Sequence, residues 1–170
     1  MFAALNGLYF TGQDGKYTSG KFIGHGTDGG EKGMRIDGIG DADFINTELV
    51  VIESPEPRIY LHVSENAAGK ARLHNTLMWG HPDYAVVLEG GDTEIVQANI
   101  VKQGKTGVTV KGGRAKLACA YFYENRDNIL LSGGEAEIYA NMTPRGENGG
   151  SVEIKADGGA AFDEKFNWGK

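Results

Sequence analysis

Between residues 71 and 157 the chain repeats itself every 21 or 22 residues, and a period of that length leaves few folds open. Ala71-Arg72-Leu73-His74-Asn75 aligns with Thr93-Glu94-Ile95-Val96-Gln97, then with Ala115-Lys116-Leu117-Ala118-Cys119 and Ala136-Glu137-Ile138-Tyr139-Ala140. A second block follows: Val86-Val87-Leu88-Glu89-Gly90-Gly91, then Val108-Thr109-Val110-Lys111-Gly112-Gly113 and Ile129-Leu130-Leu131-Ser132-Gly133-Gly134. Ser151-Val152-Glu153-Ile154-Lys155 reads as a fourth copy, with Ala156-Asp157 in place of the glycine pair. Both blocks alternate apolar and variable residues, the period of a half-buried strand. Leu73, Ile95, Leu117 and Ile138 then form one inward column. Val86, Val108, Ile129 and Val152 form a second, with Leu88, Val110, Leu131 and Ile154 beside it. No segment pairs a helix cap with apolar residues at helical spacing. The pattern predicts an all-β chain, a parallel β-solenoid of about 22 residues per rung with two or three short strands in each. The handedness of parallel crossovers favours the right-handed form.

The pattern continues upstream with longer loops, through Ala42-Asp43-Phe44-Ile45-Asn46, Ile59-Tyr60-Leu61-His62 and Met34-Arg35-Ile36-Asp37-Gly38. Lys16 to Ile23 and Leu5 to Phe10 add further strands, which makes about seven rungs in a single domain over 1–170. Composition agrees: Gly is 27 of 170 residues but Pro only 4, which excludes collagen, and 40% hydrophobic residues exclude bulk disorder. A net charge of −6 argues against a nucleic-acid or anionic-membrane partner, which would need clustered cations. No apolar run approaches the roughly 20 residues of a membrane helix, and Met1-Phe2-Ala3-Ala4-Leu5 lacks the basic start of a signal peptide. Cys119, the single cysteine, excludes an intrachain disulfide and is expected to be a buried structural thiol on an inward column.

Through residues 15–157, the repeat, the Gly-Gly turns and a polar inward column of Asn46, Asn75 and Gln97, the chain resembles the right-handed parallel β-helix superfamily of pectate lyases, polygalacturonases, inulin fructotransferases and phage tailspikes. Two features depart from that family. Its enzymes have more rungs, and they cap the first rung with an amphipathic helix absent from this sequence. An uncapped solenoid exposes a strand edge, so the chain is expected to be a segment of a larger protein or assembly, its ends covered by flanking domains or by a second copy in a homo-oligomer. The resemblance also implies an extracellular or periplasmic setting and a polysaccharide or oligosaccharide partner.

In that family the ligand groove follows the outward side chains of the strand after the longest turn, here the second block. Its outward positions read as two ladders: Arg35, Tyr60, Val87, Thr109, Leu130, Glu153, and Asp37, His62, Glu89, Lys111, Ser132, Lys155. Asp37 and Glu89 fall two rungs apart, roughly 9 to 10 Å between backbones. Carboxylates about 6.5 to 9.5 Å apart hold a water in inverting glycosidases. Asp37 and Glu89 are therefore the candidate catalytic pair, with His62 between them to tune either carboxyl. Arg35, Tyr60, Trp79, His81, Asp83 and Lys111 are the candidate substrate-binding residues, because Trp79-Gly80-His81-Pro82-Asp83-Tyr84 gathers rings and an acid around one turn. The plainer alternative is that outward strand positions are simply charged and solvated, and that Trp79 packs its turn.

No metal or cofactor is expected, since the four histidines fall on different rungs without a cysteine partner. Asp37 to Asp43 lacks the residue order of a calcium loop. The expected function is a polysaccharide hydrolase or transglycosylase. A polysaccharide lyase with Lys111 as base and Arg35 facing a uronate is a second possibility. A non-catalytic module that binds glycans or only assembles is a third.

Overall fold

A computed structural model describes residues 6–10, 15–24, 32–38, 41–51, 58–80, 83–143, 154–157 and 160–165. Its strands are β1 (Asn6–Phe10), β2 (Gly15–Gly24), β3 (Lys32–Ile36), β4 (Ala42–Val51), β5 (Ile59–Val63), β6 (Lys70–His74), β7 (Leu77–Trp79), β8 (Tyr84–Leu88), β9 (Asp92–Val96), β10 (Asn99–Val101), β11 (Thr106–Val110), β12 (Arg114–Ala118), β13 (Tyr121–Tyr123), β14 (Asp127–Leu131), β15 (Glu135–Tyr139), β16 (Ile154–Ala156) and β17 (Ala161–Lys165). All pairings are parallel and there is no helix among the described residues.

The chain is a parallel β-solenoid with three faces. Face one is the seven-stranded sheet β1-β3-β5-β8-β11-β14-β16. The ten-residue β4 pairs with β6 through its first half and β7 through its second, so one sheet supplies two faces. Face two runs β4-β6-β9-β12-β15-β17 and face three runs β4-β7-β10-β13. Strand starts at Lys70, Asp92, Arg114 and Glu135 give the 22-residue turn. The solenoid has about four turns rather than the seven expected. Coils β4–β5, β6–β8, β9–β11 and β12–β14 carry all three faces with described side chains. The block count overshot because an apolar block signals one strand, and one strand is not a turn.

The core is a set of apolar ladders. Leu73, Ile95, Leu117 and Ile138 stack in register with Phe44 on face two, all fully buried. Leu88 lies between Val63 and Val110 on face one, and Met78, Ile100 and Phe122 line face three. The last coil is two residues out of the expected register: Ile154 pairs with Ile129, the place given to Val152, which lies outside the described residues.

The polar columns also differ. Asn46, Asn75, Gln97, Cys119 and Ala140 take left-handed conformations, φ 51° to 56°, at the corner between faces two and three. Three of them donate a backbone N–H to the next coil, Asn75 to Val96, Gln97 to Ala118 and Cys119 to Tyr139. The side chains turn outward. Asn46, Asn75 and Gln97 are exposed rather than inward, and the Cys119 thiol is exposed rather than buried. The inward polar column is one residue further on, where the Thr47 and Thr76 hydroxyls lie 3.2 Å apart and Asn141 bonds backbone groups of Ala120 and Leu117.

Two substitutions check this architecture. Leu88→Asp sets an uncompensated charge between Val63 and Val110 and is expected to cost about 3–5 kcal/mol, enough to abolish a cooperative melt. Gly113 has φ +70°, and a Cβ there would sit 2.4 Å from the Gly91 carbonyl oxygen. Gly113→Ala is therefore expected to lower stability by about 1–3 kcal/mol in urea titration. A parent-like midpoint for either variant contradicts the stacking.

Candidate functional site

On face one the strand pairing sets which outward side chains are neighbours. Arg35, His62, Val87, Thr109, Leu130 and Lys155 share one register level. Two residues on, Asp37, Ser64, Glu89, Lys111, Ser132 and Asp157 follow, each of the last five donating its backbone N–H to the preceding coil. His62 and Lys155 were expected at the second level, and the structure places both at the first. Tyr60 was expected outward. It is 3% exposed within the core cluster, its hydroxyl donating to the Trp79 backbone carbonyl. The chain turns into β5 with Tyr60 and Leu61 both inward, so outward alternation starts two residues later than a simple count gives.

The corrected register makes two polar clusters side by side. His62 Nε2 lies 2.8 Å from Glu89 Oε2, and Lys111 Nζ donates to Glu89 Oε1 at 2.9 Å. Ser64 Oγ donates to Asp37 Oδ1 at 2.6 Å, and Arg35 Nη2 reaches Asp37 Oδ2 at 3.4 Å. Five of the expected residues thus fall in these clusters, His62, Glu89 and Lys111 in one and Arg35 and Asp37 in the other, which Ser64 joins unforeseen. Aligning Val63 rather than Leu61 with Leu88 would have found it. The hydroxyl of Ser64 is spent on the carboxylate and not on the imidazole, so the three residue types are not wired as a nucleophile relay.

Burial alone would push the Glu89 carboxyl up, but hydrogen bonds from Lys111 and then His62 outweigh it and hold the pKa down to about 2. Glu89 is an anion throughout the neutral range and no proton donor there. The row beside it is closed off, with His62 6% and Thr109 2% exposed. His62 Nδ1 and Thr109 Oγ1 are buried without a hydrogen-bond partner.

Asp83 stands at the start of β8, bonded by Arg58 Nε at 2.7 Å and Lys105 Nζ at 3.0 Å. Burial would raise its carboxyl, and these two cations together hold it below the usual range. His81 lies outside the described residues. Among the described residues no group of three or more His, Cys, Asp or Glu side chains is placed to hold a metal ion.

Trp79 ends β7 on face three, away from the Glu89 network, and is 37% exposed. In register with it stand Val101 and Tyr123. Beside them run Leu77, Asn99 and Tyr121, continued by a bridge from Tyr121 to Met142. The Tyr121 and Tyr123 rings stack with centroids 6.3 Å apart. Lys102 Nζ lies 5.9 Å from the Trp79 ring centre and 3.4 Å from Glu124 Oε2. A hydrogen bond from Tyr123 and then the Lys102 pairing lower the Glu124 carboxyl despite desolvation. Only Trp79 of this set was among the expected site residues. The signal was present in Leu77-Met78-Trp79, Asn99-Ile100-Val101 and Tyr121-Phe122-Tyr123, three triplets at 22-residue spacing.

No family model, no curated protein and no solved structure matches the chain.

The Glu89 pairing has a pH signature. Its folded-state pKa of about 2 lies below the ordinary 4.5, so its stabilisation is complete above about pH 4.5 and is lost as pH falls through about 2. With solvent screening at a side chain 26% exposed, the contribution is about 1–2 kcal/mol. Urea titrations of the parent should lose that amount between pH 5 and 2, and Glu89→Gln should lack that part of the acid limb. Superimposable pH profiles would show that the pair does not form.

Proposed function

We propose that the chain is a glycan-binding solenoid module, a right-handed parallel β-helix of the pectate-lyase-like kind, that holds a neutral polysaccharide along face three. The observation that carries this reading is the ladder Trp79–Val101–Tyr123 beside Tyr121, a partly exposed aromatic strip on a flat sheet. Aromatic faces pack against the C–H faces of pyranoses, and polar groups at the rim bond hydroxyls. Asn99 and the Lys102–Glu124 pair supply that rim. Trp79 and Tyr123 are two coils apart, about 10 Å by strand spacing. A flat two-fold glycan ribbon repeats the same sugar face along its length, as the rings repeat along face three. The strip has no surplus of cations, which favours a neutral polymer over a uronate chain.

The rival reading is catalysis by Asp37 and Glu89, favoured by their common register level, two coils apart with Ser64 between them. A glycosidase of that type needs one carboxyl that is protonated near neutrality. Glu89 is bonded as an anion by two partners and Asp37 accepts from two donors. Cleavage by a lyase route would need Lys111 free of Glu89. Binding with no turnover fits the wiring better.

Isothermal titration against a panel of neutral and acidic soluble polysaccharides, with reducing ends and ultraviolet absorbance followed in parallel, separates the readings. Trp79→Ala and Tyr123→Ala should each weaken binding about tenfold or more, or about 1.4 kcal/mol, while Asp37→Asn and Glu89→Gln leave it unchanged. Product release by the parent that Asp37→Asn or Glu89→Gln removes would instead establish the enzyme.

A further inference from the structure

Face two carries its charge in bands. Four successive strands each present two like charges outward, and the sign reverses from strand to strand: Lys70 and Arg72 on β6, Asp92 and Glu94 on β9, Arg114 and Lys116 on β12, Glu135 and Glu137 on β15. The third outward position of each strand, beside the bands, is His74, Val96, Ala118 and Tyr139 in turn. Neighbouring bands pair within the chain, Lys116 to Glu94 at 2.9 Å, Arg114 to Glu135 at 3.5 Å and Lys70 to Asp92 at 3.6 Å. Those pairs use one side of exposed side chains: Arg114 is 74% and Glu135 69% exposed. Glu137 is exposed and makes no ion pair with a described residue.

We propose that a second copy of this chain docks on face two, related by a two-fold axis that lies in the face, runs parallel to the strands and passes between β9 and β12. Such an axis keeps strand direction and residue level while reversing the order of the coils. Strand β9 then meets β12 of the other copy, and β6 meets β15. Asp92 faces Arg114, Glu94 faces Lys116, Lys70 faces Glu135 and Arg72 faces Glu137, each contact occurring twice by symmetry. At the third level Val96 faces Ala118 and His74 faces Tyr139. Within these four bands no like charges oppose each other. An axis half a coil away, passing through a strand, sets cation bands against cation bands, so the pattern excludes that register. This inference does not depend on the glycan reading, which concerns a different face.

Sedimentation velocity on the full chain at up to about 100 μM tests it, in about 0.05 M and about 0.5 M salt, where screening lengths are roughly 14 and 4 Å. The parent should be dimeric in low salt, with a dissociation constant at least tenfold weaker in high salt. Arg114→Glu/Lys116→Glu and Asp92→Lys/Glu94→Lys should each be monomeric alone and form a heterodimer when mixed, because each supplies the band that the other has reversed. Should either double variant fail to fold, zero-length carbodiimide cross-linking of the parent gives the answer. Lys70 and Glu135 lie three coils apart within one chain, roughly 14 Å, too far to be joined except between copies. A Lys70–Glu135 cross-link in the dimer band is the expected result. A parent that is monomeric at about 100 μM in low salt overturns the proposal, as does a dimer without that cross-link or double variants that self-associate as the parent does.

Discussion

Each coil leaves both strand edges open, and another coil at the same register is what closes them. The rest of the molecule follows from that ladder. Coils can stack at strand spacing only if their corners are as thin as their strands, and the sequence meets this in two ways. Between faces one and two it removes the side chain, since a Cβ at Gly113 would collide with the Gly91 carbonyl oxygen. Between faces two and three it keeps side chains but turns the backbone into the left-handed region at Asn46, Asn75, Gln97, Cys119 and Ala140. For residues with a Cβ that conformation costs roughly 1–2 kcal/mol each. The backbone bonds from Asn75 to Val96 and from Gln97 to Ala118, which straight strands could not make at a corner, offset it.

The same corners explain what could and could not be seen in the sequence. Leu73, Ile95, Leu117 and Ile138 were legible as a column because alternation within a strand fixes inside and outside. Parity does not survive a corner. A left-handed residue adds one position without the expected flip, so the polar column is Thr47, Thr76 and Asn141, and Asn75 and Cys119 face solvent. At the entry to β5 two consecutive residues point inward, which buried Tyr60 and moved His62 by two positions. Asp37, Glu89 and Lys111 were placed together correctly, because the glycine pairs anchor the coils on either side of Glu89. Ser64 was missed because its coil has no such pair to anchor the count.

Charge in this molecule follows the coil period. Lys111 with Glu89, Lys105 with Asp83 and Lys116 with Glu94 are each 22 residues apart, and each joins one coil to the next. A solenoid brings equivalent positions side by side, so any outward acid acquires a neighbour one period away, and selection for stability favours a cation there. Polar ladders are therefore poor evidence of catalysis in this fold. What sets the Glu89 network apart is its closure, with His62 and Thr109 buried on an outward row and each keeping an unpaired polar atom. Buried polar groups without partners cost free energy, and the solenoid tolerates two of them two coils apart.

Three faces of one array can carry separate tasks because a straight stack keeps their side chains apart. The aromatic strip of face three and the charge bands of face two share only the corner of exposed Asn46, Asn75, Gln97 and Cys119. Docking on the bands would leave Trp79 and Tyr123 of both copies open, with their strips running in opposite senses along one axis. Two weak platforms held rigidly in that relation engage a polymer at two places, and the second engagement is intramolecular. For an extended glycan this favours retention without any tighter contact at either strip. The steep salt dependence of banded charges would then set the avidity for a ligand that itself carries no charge.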